Sequence, residues 1–298
     1  NLKKHGGISG AESFFMGVRS LGVGTNYPSY SDYILSGVPV TGVNAEIDQG
    51  LLYTAFTAVT NQRPVDNISY GRELYAGRLG VGRLEGTHVI FTGMYVNDDP
   101  TSISSTSLDA TLTPRQNTAF GVDISVNLFD NILSLQGEAD VSVLTRDTRD
   151  PELETDVIPA ALANIVQPRV SSQVDYVYSA KLVFNNPESG TRASAGYKMV
   201  GPGYASLGVP YLRTDIQGFE VLVDQFLFNY AVQIGGFAKQ YHDNLINWKS
   251  STTTMTNLGV TLGLNIPDLP YLRVSYMPTT QKNDDTVALR QLNTDLNV

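Results

Sequence analysis

The 298-residue chain is 16% charged and 42% hydrophobic, with 27 Gly, 16 Tyr and 11 Phe but a single Trp, which suits aromatic-rich strands and tight bends better than helices. Cysteine is absent, which excludes a disulfide framework, a thiolate metal site and a cysteine nucleophile. The formal charge of −9, with no basic run beyond Lys3-Lys4, argues against nucleic acid as a partner, and no apolar stretch reaches the roughly eighteen residues of a membrane-spanning helix.

The chain begins at Asn1 without a Met, so a removed signal peptide or a longer parent polypeptide is expected. Strands are counted from Ser13 onward. Weak two-residue alternation runs from Leu74 to Arg83 and from Thr87 to Val96. Gly80-Val-Gly82 with Gly86 has the wrong spacing for a nucleotide loop, and a hairpin rather than a helix follows, so these glycines fit relief of crowding at a bend.

The clearest segment spans Ala119 to Thr145. Phe120, Val122, Ile124, Val126 and Leu128 alternate with Gly121, Asp123, Ser125 and Asn127. An Asp130-Asn131 turn follows, and Leu133, Leu135, Gly137, Ala139, Val141 and Val143 return against Ser134, Gln136, Glu138, Asp140 and Ser142. Strand side chains point alternately to opposite faces, so this hairpin has one apolar and one polar face. Val174 to Phe184 alternates with Asp175, Ser179 and Lys181, and Ala193 to Met199 with Arg192, Ser194 and Lys198. Weaker versions lie at Ile216 to Asp224 and Tyr230 to His242. Leu258, Val260, Leu262 and Leu264, then Leu272, Val274 and Tyr276, complete the apolar face, with Val287 to Val298 as the last strand.

Connections alternate in length. Short turns near Ile47 to Gly50, Leu84 to Gly86, Asp130-Asn131, Asn185 to Gly190, Gln225 to Asn229 and Pro267 to Pro270 separate longer polar links such as Thr25 to Asp32, Asn97 to Arg115 and Arg146 to Arg169. Such asymmetry, with short periplasmic turns and long extracellular loops, predicts an all-β, antiparallel, up-and-down transmembrane β-barrel of about fourteen strands, one domain over 1–298. Aromatics near strand ends, among them Phe14, Tyr53, Tyr75, Tyr95, Phe129, Tyr176, Phe184, Phe226, Phe228, Tyr230, Tyr271 and Tyr276, fit an interfacial girdle.

Three segments carry a family resemblance: Gly201-Pro-Gly-Tyr-Ala-Ser-Leu-Gly208 with Pro210-Tyr-Leu-Arg213 and Asp215, His242-Asp-Asn-Leu-Ile-Asn-Trp-Lys249 before a Thr-rich run, and Leu269-Pro-Tyr-Leu-Arg-Val-Ser-Tyr276. The chain resembles outer-membrane β-barrel proteins of the Bacteroidota type, many of unassigned function. The resemblance implies a location in a bacterial outer membrane and contact with its lipid. It carries over no catalytic residue.

The polar faces carry lumen-facing candidates of both signs: Asp123, Glu138, Asp140, Asp175, Glu220 and Asp224 against Arg78, Lys181, Arg192, Lys198, Lys239 and Arg273. In an open pore they would set selectivity, and in a narrow barrel they would pair across the lumen. No His pair has metal-ligand spacing, and no Gly-x-Ser-x-Gly elbow accompanies His242-Asp243, so no metal, cofactor or enzyme is expected. The carboxylates at 147–156 offer hard oxygen ligands for calcium, but their spacing matches no calcium loop; solvated charge is the expected state there, and at Asp98-Asp99 and Asp284-Asp285. The expected role is a channel or transporter for a small or hydrophobic solute, and the alternative a structural anchor or subunit of a cell-envelope protein complex.

Overall fold

Extended chain with a two-residue period forms ladders because each backbone N–H and C=O finds its partner on a neighbouring strand. The structure, a computed structural model, describes residues 17–104, 112–153, 166–267, 269–285 and 290–297. Every alternating segment named above within this range lies in a strand, to within two residues at its ends. The strands are β1 (Val18–Asn26), β2 (Val40–Asp48), β3 (Leu52–Gln62), β4 (Gly71–Gly82), β5 (His88–Asp99), β6 (Gln116–Leu128) and β7 (Leu133–Thr145). Then come β8 (Ser172–Asn186), β9 (Thr191–Val200), β10 (Ile216–Leu227), β11 (Val232–His242), β12 (Thr253–Leu264), β13 (Leu272–Asn283) and β14 (Arg290–Asn297). The protein is all-β: thirteen strands form an antiparallel up-and-down meander in chain order, and β14 pairs along β13. The proposed strand start at Ser13, Phe14, and the carboxylates Glu154 and Asp156 lie outside the described residues.

Short connections at 49–51, 83–87, 129–132, 187–190 and 228–231 alternate with long ones at 27–39, 63–70, 100–115, 146–171, 201–215 and 243–252. The sorting stops at the C-terminal end, where 265–271 and 284–289 are nearly equal in length. Two short turns share one backbone solution: Phe129, Asp130 and Asn131, and Phe228, Asn229 and Tyr230, all have positive φ between 52° and 67°. Asn and Asp tolerate that region; Phe and Tyr enter it at a cost.

Contacts divide the chain into two compact units. Unit 1 takes Asn1–Asp123, Asp140–Val174 and Ala205–Leu212; unit 2 takes Ile124–Ala139, Asp175–Tyr204 and Arg213–Val298. In each, the face carrying the alternating apolar residues is open. Leu79, Val81, Phe91 and Val141 are exposed in unit 1, and Leu135, Tyr176, Val221, Val223, Val260 and Leu262 in unit 2. On the open side of β8 and β9 three tyrosines form a ladder, with Tyr178 stacked on Tyr176 at 6.4 Å and on Tyr197 at 6.0 Å.

The opposite face is covered differently in the two units. In unit 1 it holds an apolar core built from Val40, Tyr53, Ala55, Val59, Leu74, Ala76, Ile90, Met94, Val96 and Ala119. Tyr53 is therefore not a girdle residue. It is buried beneath Arg78, whose guanidinium stands 5.4 Å over its ring. In unit 2 the corresponding face stays polar, and its large side chains lie flat across strand glycines. Tyr241 lies over Gly218, where a Cβ would sit 2.7 Å from its ring, and Phe237 lies over Gly259. The ladder fixes both berths, since Gly218 is registered to Tyr241 and Phe237 to Gly259.

Gly259→Val places a Cβ inside the Phe237 ring and is expected to cost about 1–3 kcal/mol, the usual penalty of overpacking. Gly236→Ala, where a Cβ meets only an ordinary contact at 3.5 Å, is expected to change little. Urea unfolding midpoints of the two variants measure the difference, and equal midpoints would refute the berth.

Candidate functional site

In unit 1 the connection 27–39 folds back onto the covered face. Its own polar backbone is satisfied locally: Tyr30 and Ser31 donate their N–H groups to the Leu35 carbonyl (2.8 and 3.3 Å), and the Ser31 hydroxyl accepts from the N–H groups of Tyr33 and Ile34. With that accounted for, Ile34 and Leu35 are 0% exposed and pack with Tyr30 and Val38 on the strand core. The Tyr30 hydroxyl donates to the Asn44 side-chain oxygen at 3.1 Å and lies 2.6 Å from the Thr57 hydroxyl, which donates to the same oxygen. Burial raises the Tyr30 phenol above its ordinary value, so it remains a neutral donor.

The segment 205–208 meets this connection. Asn117 uses its amide nitrogen to bond Ser142 (2.8 Å) and the carbonyls of Val143 (3.0 Å) and Ala205 (3.4 Å), while its oxygen accepts from the Leu207 N–H at 2.9 Å. Ser142 also donates to the Ala205 carbonyl. Ser206 then donates to the Ile34 carbonyl at 2.6 Å, and Ser36 N–H donates to Gly208 O at 3.1 Å. A Cβ on Gly208 would collide with the Ile34 carbonyl and sit 2.7 Å from the Met94 sulfur, so only glycine allows this approach. The Gly201–Gly208 stretch quoted for the family resemblance thus supplies the contact between two long connections. The polar link expected at Thr25 to Asp32 covers the start of the connection 27–39, whose apolar part follows it. Its signal was the apolar set Tyr30, Tyr33, Ile34, Leu35 and Val38 within a connection.

The lumen-facing candidates divide between the units. In unit 1, Arg78 is buried 3.5 Å from Asp123, and His88 faces the same carboxylate at 3.3 Å through Nε2 and the Arg83 carbonyl at 3.0 Å through Nδ1. Asp140 is buried over Gly121. In unit 2, Glu220 meets Lys239 at 3.2 Å and the Tyr241 hydroxyl at 3.4 Å. Asp224 takes Gln233 at 3.2 Å, and Asp175 accepts the N–H groups of Tyr176 and Gly203 at 2.7 Å each. Arg192 stands 5.4 Å over the Phe226 ring, and Lys198 stands 5.0 Å over that of Tyr241. Lys181 lies near Glu220 electrostatically, Glu138 is half-buried, and Arg273 is exposed on β13.

Three carboxylates expected to be solvated are matched by arginines: Asp98 at the end of β5, and Asp147 and Glu152 in the connection 146–171. Asp98 is buried and chelated by Arg72 at 2.6 and 3.0 Å, which corrects its expected solvation. Asp147 is held by Arg149 at 2.7 Å, which keeps its carboxyl below the usual range, and Glu152 pairs with Arg169 at 3.0 Å. Asp243 accepts from the Lys249 ammonium at 3.0 Å and from the Thr253 N–H at 2.7 Å. No helix among the described residues is long and apolar enough to cross a membrane. No protein-family model and no curated protein matches the chain.

The connection 243–252 of unit 2 is tied at its base. Asp215, buried and at a positive φ of 56°, accepts from the N–H groups of Asn244 (3.1 Å) and Leu245 (2.9 Å) and from the Lys249 ammonium. Burial opposes its charge, but the Lys249 bond and the two N–H groups outweigh burial and hold it below the usual carboxylate range; Lys249 is pushed above its ordinary value by Asp215 and Asp243.

Two outcomes follow from this geometry. Ile34→Ala, which empties a fully buried site, is expected to cost about 2–5 kcal/mol and to show as faster hydrogen exchange and protease cleavage confined to 27–39. The Asp215–Lys249 tie is complete above the ordinary Asp pKa and weakens as pH falls through the depressed folded value. On the alkaline side it persists through the ordinary Lys range and is lost above the raised Lys249 value. Acid titration of the single Trp248 fluorescence tracks this transition, and Asp215→Asn removes its acid limb.

Proposed function

We propose that the chain is a β-barrel of a bacterial outer membrane, closed by β14 pairing with β1, and that it is a channel or transporter for a small hydrophobic solute. The observation that carries the membrane reading is the open face: Leu135, Val141, Val260 and Leu262 are 48, 40, 60 and 46% exposed, while Asp140, Ser142 and Ser275 on the other face are buried. Fully burying one such side chain is worth about 1.5–3 kcal/mol, so the belt as a whole rivals the roughly 5–15 kcal/mol that holds a folded protein together. Hydrocarbon around the belt removes that conflict. It also requires closure, because lipid offers no hydrogen-bond partner to a strand edge. Strands of 9 to 15 residues through β13 reach the length of about 9–11 that a tilted membrane strand needs. In this reading the short turns are periplasmic and the long connections extracellular.

The solute class rests on the unit 1 wall. A water-filled pore wants a polar lining, yet Leu74, Ala76, Ile90, Met94 and Val96 form an apolar one covered by Ile34 and Leu35. If 27–39 swings away, an apolar solute can take its place without wetting that wall. The hydrogen bonds that tie 205–208 to Asn117, Ser142 and Ile34 favour a second reading, a permanently closed barrel that anchors partners in the envelope.

The test is reconstitution. The purified chain is expected to need detergent, to float with liposomes, and to admit an apolar dye faster when residues 30–35 are replaced by a short Gly-Ser link. A chain monodisperse in water without detergent sinks the membrane reading. A floating chain whose dye entry ignores the replacement leaves the anchor.

A further inference from the structure

The polar face of unit 2 gathers three lysines around one carboxylate. The registers place Lys181 beside Gly196, Gly196 beside Glu220, and Glu220 beside Lys239, a row running across β8, β9, β10 and β11. In the adjoining row Lys198 is registered to Gly218 and Gly218 to Tyr241. The two glycines make room. A Cβ on Gly196 would stand 3.3 Å from the Glu220 stem, so that side chain leans across Gly196, and the Tyr241 ring covers Gly218. Glu220 is thereby a centre to which Lys239 and the Tyr241 hydroxyl bond directly, with Lys181 and Lys198 acting on it through space.

Three ammonium groups thus surround one carboxylate. Among the described acidic groups of this face, Asp224 bonds Gln233 and Asp175 accepts backbone N–H groups. Each ammonium has three N–H donors, and Lys239 remains 42% exposed, so donors are left over and reachable. Like charges held this close repel, and an anion among them relieves the repulsion while accepting charge-assisted hydrogen bonds.

We propose that Lys181, Lys198 and Lys239, positioned around Glu220 and floored by Tyr241, bind an oxyanion: a carboxylate or phosphate group. The inference rests on the proposed function only in placing this face along the solute's path. Its role there is to hold an anionic group of the solute or a free anion.

Binding is measured by equilibrium dialysis of radiolabelled inorganic phosphate against the full chain in detergent, with acetate as competitor to separate a phosphate site from a general carboxylate one. Saturable binding is expected, weakened about tenfold by Lys181→Gln or Lys239→Gln, the size of one charge-assisted bond. Glu220→Gln is expected to tighten binding, because it removes the competing carboxylate; a merely structural cluster would loosen instead. Lys282→Gln, on β13 outside the cluster, is the control and is expected to bind as wild type. Unaltered binding in the triple lysine variant, or weaker binding in Glu220→Gln, overturns the site. Dialysis needs neither a bilayer nor conductance, so the two readings fail separately. A chain that floats with liposomes but binds no phosphate loses only this inference, and one that binds phosphate while soluble without detergent loses only the barrel.

Discussion

The strict two-sidedness of a paired strand is the constraint on which the remaining features depend. Once each backbone group is committed to the ladder, a residue can only choose its face, and a slip of one residue would turn every choice over. Leu258, Val260 and Leu262 share one face of β12, while Asn257, Gly259 and Thr261 share the other, and the partners registered to them on β11 and β13 obey the same division. Glu220 opposite Lys239 and Asp224 opposite Arg192 repeat the choice in charge. Like charges or an apolar residue at those points would make the neighbouring register competitive.

Covering one face of a large meander poses a packing problem, and the two units answer it differently. Unit 1 imports material: 27–39 and 205–208 bring apolar and hydroxyl side chains onto a wall of small and medium apolar residues. Unit 2 imports little among its described residues and rests its own Tyr241 and Phe237 across glycines. Glycine in a strand weakens the ladder locally, and the flat side chain above it returns contact area in exchange.

Much of this was legible because period and length survive in a single sequence. The β6 and β7 alternation, and the Asp130-Asn131 turn between them, needed nothing beyond the order of residues. The partners of charged residues were not legible in the same way. Glu220 meets Lys239 only because the 228–231 turn sets that register, and Asp98 meets Arg72 across the β4–β5 hairpin, so an acid read as solvated is buried. The covering of unit 1 was hidden for a different reason. A connection has no period, so the apolar residues of 27–39 carry no mark of the face they will meet, and Tyr53 at a strand start looked like an aromatic belt residue although it faces Arg78.

The two segments over the unit 1 wall are held by different kinds of force, and that difference bears on how the cover of this wall can open. The 205–208 segment is fixed by directional bonds to Asn117 and Ser142, which rise from strands; if it leaves, the Asn117 oxygen loses the Leu207 N–H and the Ser142 hydroxyl loses the Ala205 carbonyl. Leaving buried polar groups without partners costs more than the bonds themselves contribute. The tip at Ile34 and Leu35 is held mainly by apolar burial, which is non-directional and indifferent to what supplies the carbon. Its bonds to the Ser206 hydroxyl and the Asn44 oxygen end on atoms that keep a second partner, the Gly208 N–H and the Thr57 hydroxyl. In the proposed barrel, then, 205–208 is the fixed frame and 27–39 the replaceable stopper. An apolar solute is the natural competitor because it alone can take the stopper's place without exposing the wall to water.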